Sequence, residues 1–116
     1  IRARRGHILN IGSFASERIV EASAHYAAAK SALRGLTESM AREMGKYGIL
    51  VNLLSPGLMD IGVTPSLPRH RRQEYLEQGP AGRFATPEEI AERAVFLISP
   101  ENTFMTASKI VADGGL

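Results

Sequence analysis

Apolar positions along the chain form two kinds of run. Three short, nearly continuous runs, Gly6 to Gly12, Ile49 to Leu54 and Lys109 to Ala112, read as buried strands. Continuous apolarity, rather than alternation, suits a parallel sheet covered on both faces. Between the first two runs lies a stretch of Ala, Leu, Met, Glu, Arg and Lys from Ala24 to about Lys46. These are good helix formers, and Leu33, Leu36, Met40 and Met44 recur at three- and four-residue steps, which predicts one long helix with an apolar face. Ser23 stands where an N-cap belongs and Gly48 where a C-cap belongs.

Ser55-Pro56-Gly57 stops the second strand. Residues 58–68 read as irregular, and 69–78 as a short helix. Thr86-Pro87-Glu88-Glu89 is a helix start, with a capping Thr, a Pro at the first position and a Glu three residues on. Its expected buried face is Ile90, Ala94, Val95 and Leu97 or Ile98, and Ser99-Pro100 ends it. Helices alternate with apolar strands, so the fold class is α/β with a parallel sheet. There is no internal repeat and no internal boundary.

Composition narrows the function. The 116 residues carry 14 basic and 12 acidic side chains, a net charge of +2, and no Cys. A disulfide framework and thiolate metal sites are excluded, and the three scattered His suggest no metal site. No apolar run approaches the roughly 18 residues that span a bilayer. Arg2, Arg4 and Arg5 form one basic cluster, and Arg69, His70, Arg71 and Arg72 another. Both read first as solvated surface and second as contacts for an anionic partner. The small net charge and the lack of interleaved aromatics argue against nucleic acid.

The residues that suggest chemistry are Tyr26 and Lys30. Four residues apart on a helix, they share a face. An ammonium beside a phenol favours the phenolate, so such a tyrosine can exchange a proton with a carbonyl or alcohol oxygen near neutral pH. Ser13 ends the preceding strand, where its hydroxyl can bond the same oxygen. With three Tyr and three Lys in the chain, about 0.08 such pairs are expected by chance.

Four segments extend this pattern: Asn10-Ile11-Gly12-Ser13 with Tyr26 thirteen residues after Ser13 and then Lys30; Val51-Asn52-Leu53-Leu54-Ser55-Pro56-Gly57; Gly82 to Ala91; and Val111-Ala112-Asp113-Gly114-Gly115-Leu116. In this order and spacing the chain resembles the short-chain dehydrogenase/reductase family, closest in type to 3-oxoacyl-acyl carrier protein reductases. The resemblance implies Tyr26 as general acid/base, Lys30 as the residue that tunes it and holds the nicotinamide ribose, and Ser13 as the group that orients substrate. Pro56 and Gly57 match the turn beside the nicotinamide, and Met59 the backbone group that meets its carboxamide. The implied activity is an NAD(P)H-dependent ketoreductase or alcohol dehydrogenase, with NADP favoured over NAD. The implied substrate is a small or acyl-carrier-bound carbonyl compound, the implied assembly a homodimer or homotetramer, and the implied location the cytoplasm.

The chain also departs from the family pattern. Ile61 stands where Thr is frequent, with Thr64 three residues later, and Ala29 replaces a common Ser. Met105-Thr106-Ala107 replaces Thr-Gly, so the turn before the last strand carries a Cβ. The Gly-rich phosphate turn of a first βαβ unit is absent. Residues 1–116 therefore read as the C-terminal portion of one doubly wound Rossmann-type domain, with Arg2 to Arg5 ending the helix before the fifth strand of that domain. Such a half is expected not to fold stably alone. The other half would be cleaved, disordered or carried by another chain. The alternative is a non-catalytic subunit or fragment that completes the sheet and interface of a partner chain.

Overall fold

The computed structural model describes residues 4–116. Arg2 therefore lies outside the described residues. Arg4 and Arg5 are not helical, and Arg4 has a φ of 50°, so the expectation of a helix end there fails for these two residues.

The three apolar runs are strands of one parallel sheet: β1 (Gly6–Ile11), β2 (Ile49–Pro56) and β3 (Lys109–Ala112), in the order β1-β2-β3. Ile8 lies beside Val51 and Asn10 beside Leu53, while Leu54 lies beside Ile110. β2 runs two residues further than expected. Pro56 lacks an N–H but takes the last position of its ladder, beside Ala112, and Gly57 N–H continues the pairing to Ala112 O at 2.8 Å. As the central strand, β2 is the core of the molecule. Val51, Asn52, Leu53, Leu54 and Ser55 are all fully buried.

The long helix α1 (Ala24–Met44) packs on β2, and a single 3-10 turn (Gly45–Tyr47) carries the chain on to Gly48. Gly48 has a φ of 69°, and a Cβ there would come 2.4 Å from Arg4 O, so the predicted left-handed cap is realised. Ser23 caps α1 only through its backbone, Ala27 N–H reaching Ser23 O at 3.0 Å. The buried stripe is shifted from the predicted one. Thr37 and Ala41 are buried, Met40, Met44 and Ile8 pack on the cluster of Ala41, Ile49 and Val51, and Leu36 is exposed. A polar pair explains Thr37: Asn10 Nδ2 donates to its Oγ1 at 2.8 Å, and Oγ1 donates to Leu33 O at 2.7 Å.

α2 (Arg69–Gln78) has the predicted limits. α3 (Pro87–Ile98) starts with the predicted capping box, Thr86 Oγ1 accepting from Glu89 N–H and the Glu89 carboxylate from Thr86 N–H. Leu97 is its one buried side chain among the described residues, against β1 and β2, while Ile90 and Ala94 are half-buried. Val95 is exposed, contrary to expectation, and of the two alternatives Leu97 and Ile98 it is Leu97 that is buried. Ile8 faces α1, so by alternation His7 points the other way, where its Nε2 lies 2.9 Å from Asn102 O in the turn after α3. The sheet thus has α1 on one face and α3 on the other.

Candidate active site

Ser13, Tyr26 and the Pro56–Met59 segment meet where β1 and β2 end. Ser13 is extended (φ −162°, ψ 149°) and buried, and it caps a single 3-10 turn, Phe14–Ser16. Its Oγ accepts from Ala15 N–H at 3.2 Å. A hydroxyl used in this way keeps its own O–H to donate and a second lone pair. Tyr26 is the third residue of α1 and 42% exposed. One turn on, Lys30 Nζ lies 5.9 Å from the Tyr26 ring centroid and donates to Ile11 O at 2.9 Å. A strand carbonyl thus anchors the ammonium beside the phenol, and two of its three donors have no partner among the described residues.

Ser13, Tyr26, Pro56, Gly57 and Met59 all line one cavity of about 230 Å³. Lys30 stands beside Tyr26 and does not line it. Both Ile61 and Thr64 border it, Thr64 fully buried in a 3-10 turn (Thr64–Ser66) and Ile61 exposed. Phe14, Leu58 and Val63 supply further apolar wall. The sequence does not mark these three; Phe14 and Leu58 could have been flagged only by their place next to Ser13 and Gly57, and Val63 by its place next to Thr64.

Met59 makes an isolated parallel bridge to Ala85, in which Ala85 N–H donates to Leu58 O (3.0 Å) and Asp60 N–H to Ala85 O (3.2 Å). The neighbours of Met59 take the bonds. Its own N–H and C=O have no partner among the described residues. Gly57 is held tightly, since a Cβ there would come 2.5 Å from Asp113 Cα.

α2 touches the site through Tyr75, whose ring meets Phe14 edge-on with centroids 5.9 Å apart. Of its basic cluster, Arg71 pairs with Glu21 and with Glu74 (2.8 Å). Arg72 pairs with Asp60 (3.0 Å) and lies 5.5 Å from the Phe84 ring centroid. Arg69 and His70 are exposed. Arg71 holds the Glu74 carboxyl below the usual carboxylate range. His25 is exposed, with Ser23 Oγ 3.4 Å from its Nε2. Among the described residues no group of three or more His, Cys, Asp or Glu could hold a metal ion, and no helix is long and apolar enough to cross a membrane.

Comparison with known proteins gives a consistent picture. A family model described as enoyl-(acyl carrier protein) reductase matches residues 1–116. The 3-oxoacyl-[acyl-carrier-protein] reductase FabG of Vibrio cholerae is 39% identical over 116 residues, which are all of this chain and 48% of that protein. The chain spans about half the length of the curated relatives it matches. Among solved structures, a 3-oxoacyl-[acyl-carrier protein] reductase from Brucella melitensis superposes with a TM-score of 0.94 at 35% identity, covering 99% of this chain and 43% of that one. A gluconate 5-dehydrogenase from Burkholderia cenocepacia, solved with NADP and tartrate, superposes at 0.93 with 33% identity over 99% of this chain and 46% of its own. The parallel α/β fold and these matches agree, and the chain belongs to the short-chain dehydrogenase/reductase family.

Proposed function

We propose that this chain supplies the proton-handling face of a nicotinamide-dependent ketoreductase that reduces a 3-oxoacyl thioester or a similar carbonyl compound. The observation that carries the reading is the meeting of Ser13 and Tyr26 with Pro56, Gly57 and Met59 around one cavity, with Lys30 fixed beside Tyr26. In this reading Tyr26 gives a proton to the carbonyl oxygen during reduction and takes one from the alcohol in the reverse direction. Ser13 donates its free O–H to the same oxygen and orients it.

The residues present suit a nicotinamide nucleotide. The unpartnered N–H and C=O of Met59 offer the donor and the acceptor that a carboxamide needs. The two free donors of Lys30 suit a ribose diol. When bound, the cofactor supplies the hydride. NADP is the favoured form and NAD the alternative. Phe14, Leu58, Ile61 and Val63 make the walls mainly apolar, which suits an acyl chain better than a polyol, whose hydroxyls would each need a partner. Residues 1–116 are, in this reading, the C-terminal portion of one Rossmann-type domain in a cytoplasmic homodimer or homotetramer.

The test is NADPH oxidation by the full-length protein with a 3-oxoacyl thioester. Tyr26→Phe removes the proton donor and should lower kcat by about 10²–10⁴-fold, the usual worth of general acid catalysis. Unchanged turnover in that variant would sink the role of Tyr26.

A further inference from the structure

A carboxylate outside the cavity ties its two sides together. Glu17 follows the 3-10 turn that Ser13 caps, and its side chain is only 12% exposed. One carboxylate oxygen accepts from Ser55 Oγ at 3.2 Å and lies 3.3 Å from Ser16 Oγ, and the other is paired with the Lys109 ammonium on β3. Each partner belongs to a different part of the site. Ser55 is fully buried on β2 and immediately precedes Pro56-Gly57. Ser16 donates to Ser13 O at 2.7 Å through its hydroxyl and at 3.0 Å through its N–H. Gly12 leaves the room this arrangement needs, because a Cβ there would come 2.6 Å from Ser55 Oγ. Burial pushes the Glu17 carboxyl up, but the Lys109 ammonium and the Ser55 hydroxyl outweigh it and leave it below the usual range.

We infer that Glu17 is a positioning residue: its backbone N–H holds Phe14 O in the Ser13 turn at 2.9 Å, and its carboxylate holds Ser55 and Lys109, which fixes that turn against the Pro56–Gly57 turn and β3. The reaction assigned to Ser13 rests on the function proposed above, whereas the brace itself is a property of the fold. A serine that donates to a reacting oxygen loses rate steeply when displaced, since a misplacement of about 1 Å can cost on the order of 10²-fold.

The experiment compares Glu17→Ala, Glu17→Gln, Glu17→Met and Tyr26→Phe with wild type in the full-length protein, reading kcat, KM for cofactor and the hydrogen-exchange rate of the amides of residues 14–18. Glu17→Ala should speed exchange in that segment and lower kcat about tenfold or more, with cofactor KM nearly unchanged. Glu17→Gln keeps an oxygen for Ser55 at the same volume and should recover much of both losses, whereas Glu17→Met, of similar volume but with no oxygen to accept, should not. Should the alanine variant not fold, Lys109→Met carries the same expectation for exchange. Exchange at the wild-type rate in Glu17→Ala or Lys109→Met overturns the brace. Tyr26→Phe with full turnover instead overturns the reading of the site and leaves the exchange arm to decide on Glu17. An inactive Tyr26→Phe beside a Glu17→Ala with wild-type kcat overturns the positioning role.

Discussion

Ala107 carries a testable strain. It is an alanine with a φ of 54°, in the turn where the sequence shows a Cβ in place of a glycine. The left-handed conformation costs an L-residue about 1–2 kcal/mol. It is held here because the backbone is fixed on both sides: Ala107 N–H donates to Val51 O at 2.7 Å, and beyond it Ser108 N–H donates to Asn52 Oδ1 at 3.1 Å while Ser108 O accepts from Leu53 N–H at 2.9 Å. Ala107→Gly removes the strain but gives the unfolded chain more freedom, worth about 0.4–1 kcal/mol. The net expectation is a gain of about 0.5–1 kcal/mol. For a domain of 150–250 residues each kcal/mol moves Tm by about 2–4 °C, so the shift should be about 1–4 °C upward. The side chain is exposed, so little packing is lost. The series Gly, Asn, Ala, Val at position 107, followed by thermal and urea unfolding of the full-length protein, should fall in stability in that order, because Asn tolerates φ > 0 and a β-branched residue does not. A glycine variant less stable than wild type, or a ranking that follows side-chain size upward, would refute the argument.

Other outcomes follow from the same contacts. Gly57→Ala drives a Cβ to 2.5 Å from Asp113 Cα, so it should cost about 1–3 kcal/mol in urea unfolding and weaken cofactor binding by titration. Asn52→Ala leaves Ser108 N–H without its 3.1 Å acceptor and removes the 2.7 Å bond to Met105 O, and should cost about 1–3 kcal/mol. The Glu89 carboxyl is held at about 2, first by Arg83 and then by the Thr86 N–H. A folded value below the ordinary 4.5 means its contribution is complete above pH 4.5 and lost as pH falls through about 2. Acid unfolding of Glu89→Gln should therefore be flatter across that window than wild type. Residues 1–116 expressed alone should bind a hydrophobic dye and melt without cooperativity; a sharp two-state melt would count against the half-domain reading.

Where sequence and structure agree, local chemistry settles the matter. Pro68 and Gly79 bracket α2, and a Thr, Pro and Glu in the right order build the start of α3 whatever surrounds it. Tyr26 and Lys30 share a face because helix geometry requires it, and Ser13 stands at a strand end because an apolar run stops there. Where they differ, a distant partner decides. Thr37 is buried in place of Leu36 because Asn10, 27 residues away, reaches it. Helical periodicity marks α3 as amphipathic but does not say how much of its apolar stripe is covered, so the expected Val95 lies exposed while Leu97 takes the buried place. Glu17 was illegible for the same reason. Its partners lie on β2 and β3, 38 and 92 residues away, and nothing in its neighbourhood separates it from an ordinary surface glutamate.

The exposed surface bears on how the site keeps its geometry. A monomeric protein of 12.6 kDa is expected to expose about 6,200 Å², whereas this chain exposes 7498 Å². The difference, about 1,300 Å², exceeds the roughly 800 Å² that one partner contributes to a standard protein interface. Among the described residues both long helices leave apolar side chains open. Val95, Phe96 and Ile98 lie on α3, and Leu36 and Tyr26 on α1, the helix that carries the proposed acid. The outer edge of β1 has no strand partner among the described residues. Among the described residues with large side chains under 2% exposed, only Val51, Leu53 and Leu54 are hydrophobic, and all three lie on β2. One central strand is a narrow base for a reaction that tolerates little displacement. Ser13 therefore depends on two kinds of support. Hydrogen bonds through Ser16, Glu17 and Ser55 act within these residues, and burial of α1 and β1 has to come from whatever packs on their open faces. The first holds the Ser13 turn locally; the second is needed to keep Tyr26 and Lys30 in register with it.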